Sequence, residues 1–123
     1  MHMHLGVSTY CLIGHPLEES LIILSEIADI IEVMAEGYHS ITDPGLFESY
    51  TQDFVIHAPY HGMNIASLFE GIRRASVSVM TDCLGIAAEI GAPVVMHPGY
   101  HAWDQEKEAA DRQFQRSLRE LRD

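Results

Sequence analysis

Short apolar runs alternate along the chain with longer segments in which apolar residues recur at helical spacing. Four runs have the length and apolar character of strands buried in a sheet: His4–Thr9, Ile30–Met34, Phe54–His57 and Val94–His97. The segments between and after them predict helices over Leu17–Ala28, near Leu46–Tyr50, over Ser67–Ile90 and over Asp104–Arg122. The pattern therefore predicts four consecutive strand–helix units.

Local signals support the predicted helix ends. Pro16 suits the start of the first helix, and Ser67 is a suitable N-cap for the long helix that follows it. Gly91 ends that helix, and Pro93 prevents the helix from resuming. The last helix is highly charged but carries an apolar stripe formed by Ala110, Phe114, Leu118 and Leu121.

Strands and helices that alternate in this order predict a parallel sheet covered by helices. The order fits either an open doubly wound sheet or part of an eightfold barrel. The segment after the first strand, STYCLIGHP, lacks the G-x-G-x-x-G pattern of dinucleotide-binding folds, which disfavours a nucleotide site. Since the 123 residues contain no linker or low-complexity segment, we expect residues 1–123 to form a single domain.

Charge and composition disfavour several classes of partner. The net charge is −11, and every Lys and Arg lies at or after Arg73. This distribution argues against a broad basic surface for nucleic acid, although a bound metal could still hold a phosphate. No apolar run reaches the ~20 residues of a membrane helix, and the start lacks the basic region of a secretory leader. Cys11 and Cys83 are flanked by apolar residues, so we expect reduced, buried cysteines in a cytoplasmic protein.

Polar and aromatic side chains gather where the predicted strands end. At or just after the four strand ends lie Tyr10, Glu36, His57 and His97, and the loops beyond carry Tyr60, Asn64, His101 and Trp103. Active sites of parallel α/β folds lie at this edge. Because neighbouring strands are about 4.8 Å apart, His57 and His97 could chelate zinc, iron or manganese. We predict a metal site at these two histidines and a substrate pocket at the other six residues.

Each of these residues also has a structural interpretation. A histidine at a strand end can be a hydrogen-bonded packing residue, and His61 and His101 can be solvated loop residues. Asn64 together with Ser67 fits turn and cap chemistry. Glu32, inside an apolar strand, either faces a polar barrel interior or makes a structural hydrogen bond.

Four stretches resemble a known family: ADIIEVMAEG, VIHAPYHGMNIAS, the R-x-x-S of Arg73–Ser76, and AAEIGAPVVMHPG. In these motifs the chain resembles the xylose-isomerase-like TIM-barrel superfamily, which includes sugar phosphate isomerases and epimerases and endonuclease IV. The resemblance extends from the first strand to the fourth helix. It implies the (βα)4 half of a TIM barrel, an α/β fold with a parallel four-stranded sheet and helices on its outer face.

The resemblance also implies roles for individual residues. In the endonuclease IV branch, the histidines of H-A-P-Y and H-P-G correspond to His57 and His97 and bind one zinc with a glutamate from the fifth strand. In the epimerase branch, Mn, Mg or Co is held by residues of later strands. There the positions of His57 and His97 line the substrate pocket. The resemblance thus implies a divalent metal cofactor, zinc foremost, with Mn, Mg or Co as alternatives.

The sequence departs from the family pattern because it contains four of the eight expected strand–helix units. We expect a half-barrel whose open inner face and edge strands are covered in a homodimer. The leading functional expectation is metal-dependent isomerisation or epimerisation of a small sugar or sugar phosphate. The alternatives are zinc-dependent hydrolysis of phosphodiesters at abasic DNA, and a truncated, inactive half-barrel that dimerises.

Overall fold

The computed structural model describes residues 3–123 and confirms the predicted order of elements within them. The strands are β1 (Gly6–Ser8), β2 (Ile30–Met34), β3 (Asp53–His57) and β4 (Val94–Val95). The α-helices are α1 (Leu17–Ser25), α2 (Glu70–Ile90) and α3 (Lys107–Arg122). Short 3-10 turns lie at Thr9–Leu12, Gly37–His39, Pro44–Ser49 and Asp104–Glu106. The short helix predicted near Leu46–Tyr50 is one of these 3-10 turns.

The strands form one parallel sheet in the order β1-β2-β3-β4. In its register Ser8 pairs with Glu32, Glu32 pairs with Val55, and Met34 pairs with His57. Because all neighbours are parallel, the carboxyl ends of the strands lie at one edge of the sheet. This is the arrangement predicted for half of an eightfold barrel.

β4 is shorter than predicted, because it ends at Val95 and leaves His97 outside the strand. Pro98 has no backbone N–H to donate to a neighbouring strand. Gly99 then adopts a left-handed φ of 86°, which favours glycine and turns the chain. His97 therefore belongs to the loop that follows β4.

The chain divides into two compact units. The first unit comprises the described residues up to Ala58 together with Leu84–Val95, and it contains the entire sheet and α1. The second unit comprises Pro59–Cys83 and Met96–Asp123, and it contains the first part of α2 and all of α3.

The two faces of the sheet in the first unit differ in exposure. One face carries the fully buried core side chains Ile31, Val33 and Ile56, and α1 buries Leu17, Leu21 and Leu24. On the opposite face Ile30, Glu32 and Val55 are half-buried. They line an open groove of about 270 Å³ together with Gly6, Val7 and Ser8. The inner face of the sheet, which a half-barrel leaves uncovered, is therefore open. Glu32 points to this face, in agreement with the interpretation that it faces a barrel interior.

In the second unit the buried face of α3 differs at one position from the predicted apolar stripe, because Ser117 is buried in place of Leu118. Ala110 is buried as expected, but Leu118 is 39% exposed and Ser117 is fully buried. The Ser117 hydroxyl donates to the carbonyl of Ile65 at 2.6 Å and accepts from Arg73 Nη1 at 3.0 Å. Phe114 and Leu121 are half-buried, so Ser117 replaces only Leu118 on the buried face that hydrophobic spacing predicts.

The two cysteines differ in exposure. Cys83 is buried, as predicted, and burial raises the pKa of its thiol. The prediction of burial is wrong for Cys11, because the 3-10 turn Thr9–Leu12 holds it at the surface, with its thiol donating to the carbonyl of Ser8 at 3.1 Å. Across residues 3–123, no helix combines the length and apolar character needed to cross a membrane.

Candidate functional site at the carboxyl ends of the strands

In the first unit, three of the predicted site residues lie at the carboxyl edge of adjacent strands. Tyr10 follows β1 by two residues, Glu36 follows β2 by two residues, and His57 is the last residue of β3. The backbone N–H of Ala35 donates to the carbonyl of His57 at 3.0 Å, so the ends of β2 and β3 are fixed together. Tyr10 is 59% exposed, whereas Glu36 and His57 are half-buried. The structure therefore brings Tyr10, Glu36 and His57 to one edge, as predicted.

His57 has a defined tautomer in its neutral form. Its Nδ1 lies 2.8 Å from the carbonyl oxygen of Ala58, and a carbonyl can only accept a hydrogen bond. Nδ1 must therefore carry the proton, and the lone pair of the neutral ring resides on Nε2.

Thr9 is a residue of this edge that the sequence interpretation missed. It is fully buried, and its Oγ1 accepts the backbone N–H of Met34 at 3.0 Å. The neighbouring Ser8 Oγ accepts the N–H of Tyr10 at 3.2 Å and caps the 3-10 turn. These two hydroxyls hold the turn that carries Tyr10 against the end of β2. A pair of hydroxyl residues at a strand end was the available signal.

In the second unit, the ring of Tyr60 contacts two imidazoles. Its ring centroid is 4.3 Å from that of His97, with an interplanar angle of 17°, so the two rings stack. The ring centroid of His61 lies 4.2 Å from that of Tyr60, with an interplanar angle of 31°. The histidine that begins the H-P-G motif is therefore packed against the tyrosine of the H-A-P-Y motif.

The remaining predicted residues of the second unit have different environments. Asn64 is buried and its side-chain amide is engaged with loop backbone. His101 is exposed and lines an open cavity of about 430 Å³, whose apolar wall includes Phe69 and Ile72. Trp103 is 63% exposed, and its carbonyl accepts from the N–H of Glu106 at the start of the last helical segment.

Residues 3–123 do not provide a full set of ligands for the metal that the family resemblance implies. Among these residues, no group of three or more His, Cys, Asp or Glu side chains is arranged to hold a metal ion. A catalytic zinc usually takes three protein ligands. Within residues 3–123 the donor set therefore does not complete a metal centre, and His57 and His97 stay predicted ligands.

Arg73, part of the R-x-x-S stretch, is structural in this fold. It is 1% exposed, and its guanidinium pairs with Glu70 at 2.7 Å and Glu120 at 3.0 Å and also donates to Ser117. The hydrogen bonds from Arg73 lower the pKa of Glu70 from 4.5 to about 2, and the two carboxylates raise the pKa of Arg73. The network ties the first turn of α2 to α3 in the second unit. The network therefore stabilises the start of α2, where the preceding loop ends.

The family model described as xylose isomerase-like TIM barrel matches residues 45–123. The chain belongs to this family. It is similar to two proteins of Methanocaldococcus jannaschii, the uncharacterized proteins MJ1614 and MJ1311, each at 31% identity. The first match covers 97% of this chain and 50% of MJ1614, and the second covers 81% of this chain and 37% of MJ1311. The chain thus spans half or less of the length of these relatives.

Two solved structures resemble this member of the family. A D-tagatose 3-epimerase-like protein is 28% identical, with a TM-score of 0.84 over 97% of this chain and 47% of its own. Endonuclease IV from Thermus thermophilus is 21% identical, with a TM-score of 0.56 over 94% of this chain and 45% of its own. The four parallel strands and their helices match half of a TIM barrel, which confirms the predicted fold class. The second likeness supports the fold alone.

Proposed function

We propose that this chain supplies half of the active-site mouth of a sugar epimerase or isomerase, acting on a small sugar or sugar phosphate. The observation that carries the proposal is the TM-score of 0.84 at 28% identity with the D-tagatose 3-epimerase-like protein. In this reaction class a proton leaves the carbon beside a carbonyl and returns to the opposite face or to the neighbouring carbon. A divalent metal would polarise that carbonyl, and the proposal places some of its ligands outside residues 3–123.

The side chains at the carboxyl edge support a small polar substrate. Glu36 offers a carboxylate for sugar hydroxyls, and His57 presents an imidazole whose proton position is fixed by Ala58. Tyr10 and Tyr60 add aromatic surface, and we assign Asn64, His101 and Trp103 to the loops around the substrate. His57 and His97 are the proposed metal ligands on the chain's own side.

Charge favours a sugar over a nucleic acid. The net charge is −11, and every Lys and Arg lies at or after Arg73. Nucleic-acid binding draws most of its affinity from Lys and Arg contacts with phosphates. Hydrolysis of phosphodiesters at abasic DNA is therefore the second candidate, motivated by the H-A-P-Y and H-P-G motifs and the shared fold.

We further propose that a second copy of the chain closes the barrel. Within the described residues, β1 pairs only with β2, and β4 pairs only with β3, so both edges of the sheet have open hydrogen-bonding groups. The inner groove around Glu32 and Val55 is open, and Val95 on the β4 edge is 43% exposed. A two-fold arrangement with β4 of each copy beside β1 of the other would give eight parallel strands.

The dimer proposal predicts association that depends on the inner face of the sheet. Sedimentation velocity over micromolar concentrations is expected to give twice the mass of the chain. Val55→Asp places a charge on the open face and is expected to give a folded monomer with an unchanged helical circular dichroism spectrum. As a control, Glu18→Gln on the exposed side of α1 should stay dimeric. A wild-type protein that is monomeric throughout the concentration series would refute closure by a second copy.

The functional proposal predicts exchange of a carbon-bound proton. NMR in D₂O, with Mn²⁺, Mg²⁺, Co²⁺ or Zn²⁺ added, is expected to show deuterium entering the carbon beside the carbonyl of one or more ketoses or ketose phosphates, with epimer or isomer formation. Glu36→Gln should lower kcat/KM by about 10- to 100-fold, since a charged hydrogen bond is lost. The matched control is Glu26→Gln, which neutralises an exposed carboxylate just after α1. This variant should retain full activity.

Two results would contradict this function. Absence of exchange across the panel, in a metal-supplemented protein whose oligomeric state has been measured, would favour an inactive half-barrel. Nicking of abasic DNA without sugar turnover would favour the endonuclease IV-like alternative.

A further inference from the structure

Asn64 forms a paired contact with the backbone of Tyr100. Its Oδ1 accepts the N–H of Tyr100 at 3.1 Å, and its Nδ2 donates to the carbonyl of the same residue at 3.1 Å. The side-chain amide thus satisfies both backbone groups of one residue in the way that a neighbouring strand would. Oδ1 also accepts from the N–H of Ala66 at 3.0 Å. We call this contact the Asn64–Tyr100 pair.

The pair is anchored on the α2 side by Ser76. The backbone N–H of Asn64 donates to Ser76 Oγ at 2.8 Å, and that hydroxyl donates to the carbonyl of Ile72 within α2. Both Asn64 and Ser76 are buried, at 8% and 1% exposure. Because the anchor is part of a 21-residue helix, Asn64 has a fixed position from which to hold the loop that contains Tyr100.

Gly99 makes the close approach of this loop possible. A Cβ at this position would lie 2.5 Å from Asn64 Oδ1 and 2.8 Å from both Cβ and N of Ala66. Its φ of 86° is also in the left-handed region that side chains disfavour. Any other residue at position 99 would therefore push the loop away from Asn64 and break the bonds to Tyr100.

The same two loops meet a second time at the stacked rings of Tyr60 and His97. Tyr60 precedes Asn64 by four residues, and His97 precedes Tyr100 by three. The stacking distance of 4.3 Å therefore depends on how closely the two loops are held together. His97 lies two residues beyond the end of β4, in the loop that contains Tyr100.

We infer that Asn64 is a positioning residue that, together with Gly99, fixes the His97 imidazole against Tyr60 through the Asn64–Tyr100 pair. This assignment replaces direct substrate contact with an indirect role for Asn64. The inference extends the proposed function. It rests on that function only in assigning His97 to the substrate pocket. The coupling itself concerns five residues of one unit and can be measured without a substrate.

The test uses the NMR signals of the His97 ring protons, which the ring current of stacked Tyr60 shifts upfield. The His97 signals are assigned by their loss in His97→Gln, and Tyr60→Leu gives the unstacked reference shift. Asn64→Asp keeps the acceptor but removes the donor to the Tyr100 carbonyl, and Gly99→Ala introduces the clash. Both variants are expected to move the His97 signals toward their position in Tyr60→Leu.

Two glycine variants serve as controls. Gly62→Ala has a φ of 74° but nothing within 4 Å of the added Cβ, so it carries the backbone strain without the clash. Gly71→Ala is also open and lies in α2, where alanine is favoured. Neither control should move the His97 signals. Folded Asn64→Asp and Gly99→Ala proteins with wild-type His97 signals would overturn the inference.

A measurement on the unaltered protein covers the case in which these variants do not fold. The Tyr100 amide should be protected from hydrogen exchange, because Asn64 Oδ1 accepts its N–H. Exchange at the rate of an unprotected amide would overturn the inference. In the sugar assay, Asn64→Asp should lower kcat/KM by about 10- to 100-fold through misplacement of His97. Failure of the sugar assay with the NMR effect intact would refute the proposed function and leave the positioning role established.

Discussion

Ile56→Ala is expected to lower the free energy of unfolding by about 3 to 4 kcal/mol, within the range for large-to-small changes in a core. Ile56 is fully buried in β3, a strand with a neighbour on each side. The change removes three carbon atoms from a fully buried site. Urea unfolding followed by circular dichroism would measure the loss, and Ile56→Val should cost about 0.5 to 1.5 kcal/mol if the alanine variant does not fold.

The adjacent residue provides a control that also reports on assembly. Val55 points to the open inner face of the same strand and is half-buried. In a chain that stays monomeric, Val55→Ala should cost less than about 1 kcal/mol, because little packed surface is lost. In a closed dimer the same change would cost more, and the cost would vary with protein concentration. Equal losses for Ile56→Ala and Val55→Ala in a monomeric protein would contradict the assignment of the two faces.

Arg73→Met is expected to lower the free energy of unfolding by about 2 to 3 kcal/mol. The value lies below the range of roughly 3–5 kcal/mol for breaking a fully buried pair, because Glu70 and Glu120 are partly exposed and can be rehydrated. The change removes the cation that ties α2 to α3 and leaves the Ser117 hydroxyl without one donor. The matched control is Arg74→Met, which removes a 73% exposed arginine with a 3.4 Å contact to the same carboxylate. It should have little effect.

The acid dependence of stability gives a second readout of Arg73. The folded-state pKa of Glu70 is lowered from 4.5 to about 2, so its stabilising contribution is complete above pH 4.5 and is lost as the pH falls toward 2. In Arg73→Met the pKa of Glu70 should return toward 4.5, and this part of the acid dependence should disappear. Unfolding curves between about pH 2 and 5 would check the prediction. An unchanged acid dependence in the variant would show that Arg73 does not set the ionisation of Glu70.

Much of the first unit could be predicted from sequence because its signals are local. The apolar run of Ile30–Met34 coincides with β2, and Phe54–His57 lies within β3. Strand ends in a parallel sheet share one edge, so the sequence alone places Tyr10, Glu36 and His57 there. The end of β4 could not be placed as well, because it depends on how the Pro98–Gly99 turn is held.

The functional environment of the second unit could not be predicted, because its contacts join distant parts of the chain. Asn64 bonds to Tyr100, 36 residues away, and Arg73 bonds to Glu120, 47 residues away. Nothing near Arg73 in sequence distinguishes it from the exposed Arg74, yet one is buried and the other is 73% exposed. Hydrophobic spacing likewise favoured Leu118 over Ser117, since spacing does not register a hydroxyl needed by a buried guanidinium.

The sequence by itself determined the alternation of strands and helices, the sheet edge at which Tyr10, Glu36 and His57 lie, and the acidic charge that disfavours nucleic acid. These properties follow from side-chain periodicity and composition, which are written in neighbouring residues. Only the tertiary structure decided that Arg73 is structural, that Asn64 binds loop backbone, and that His97 stacks on Tyr60. Such contacts arise when buried polar groups find partners across long chain separations, and local pattern does not encode which partner is reached.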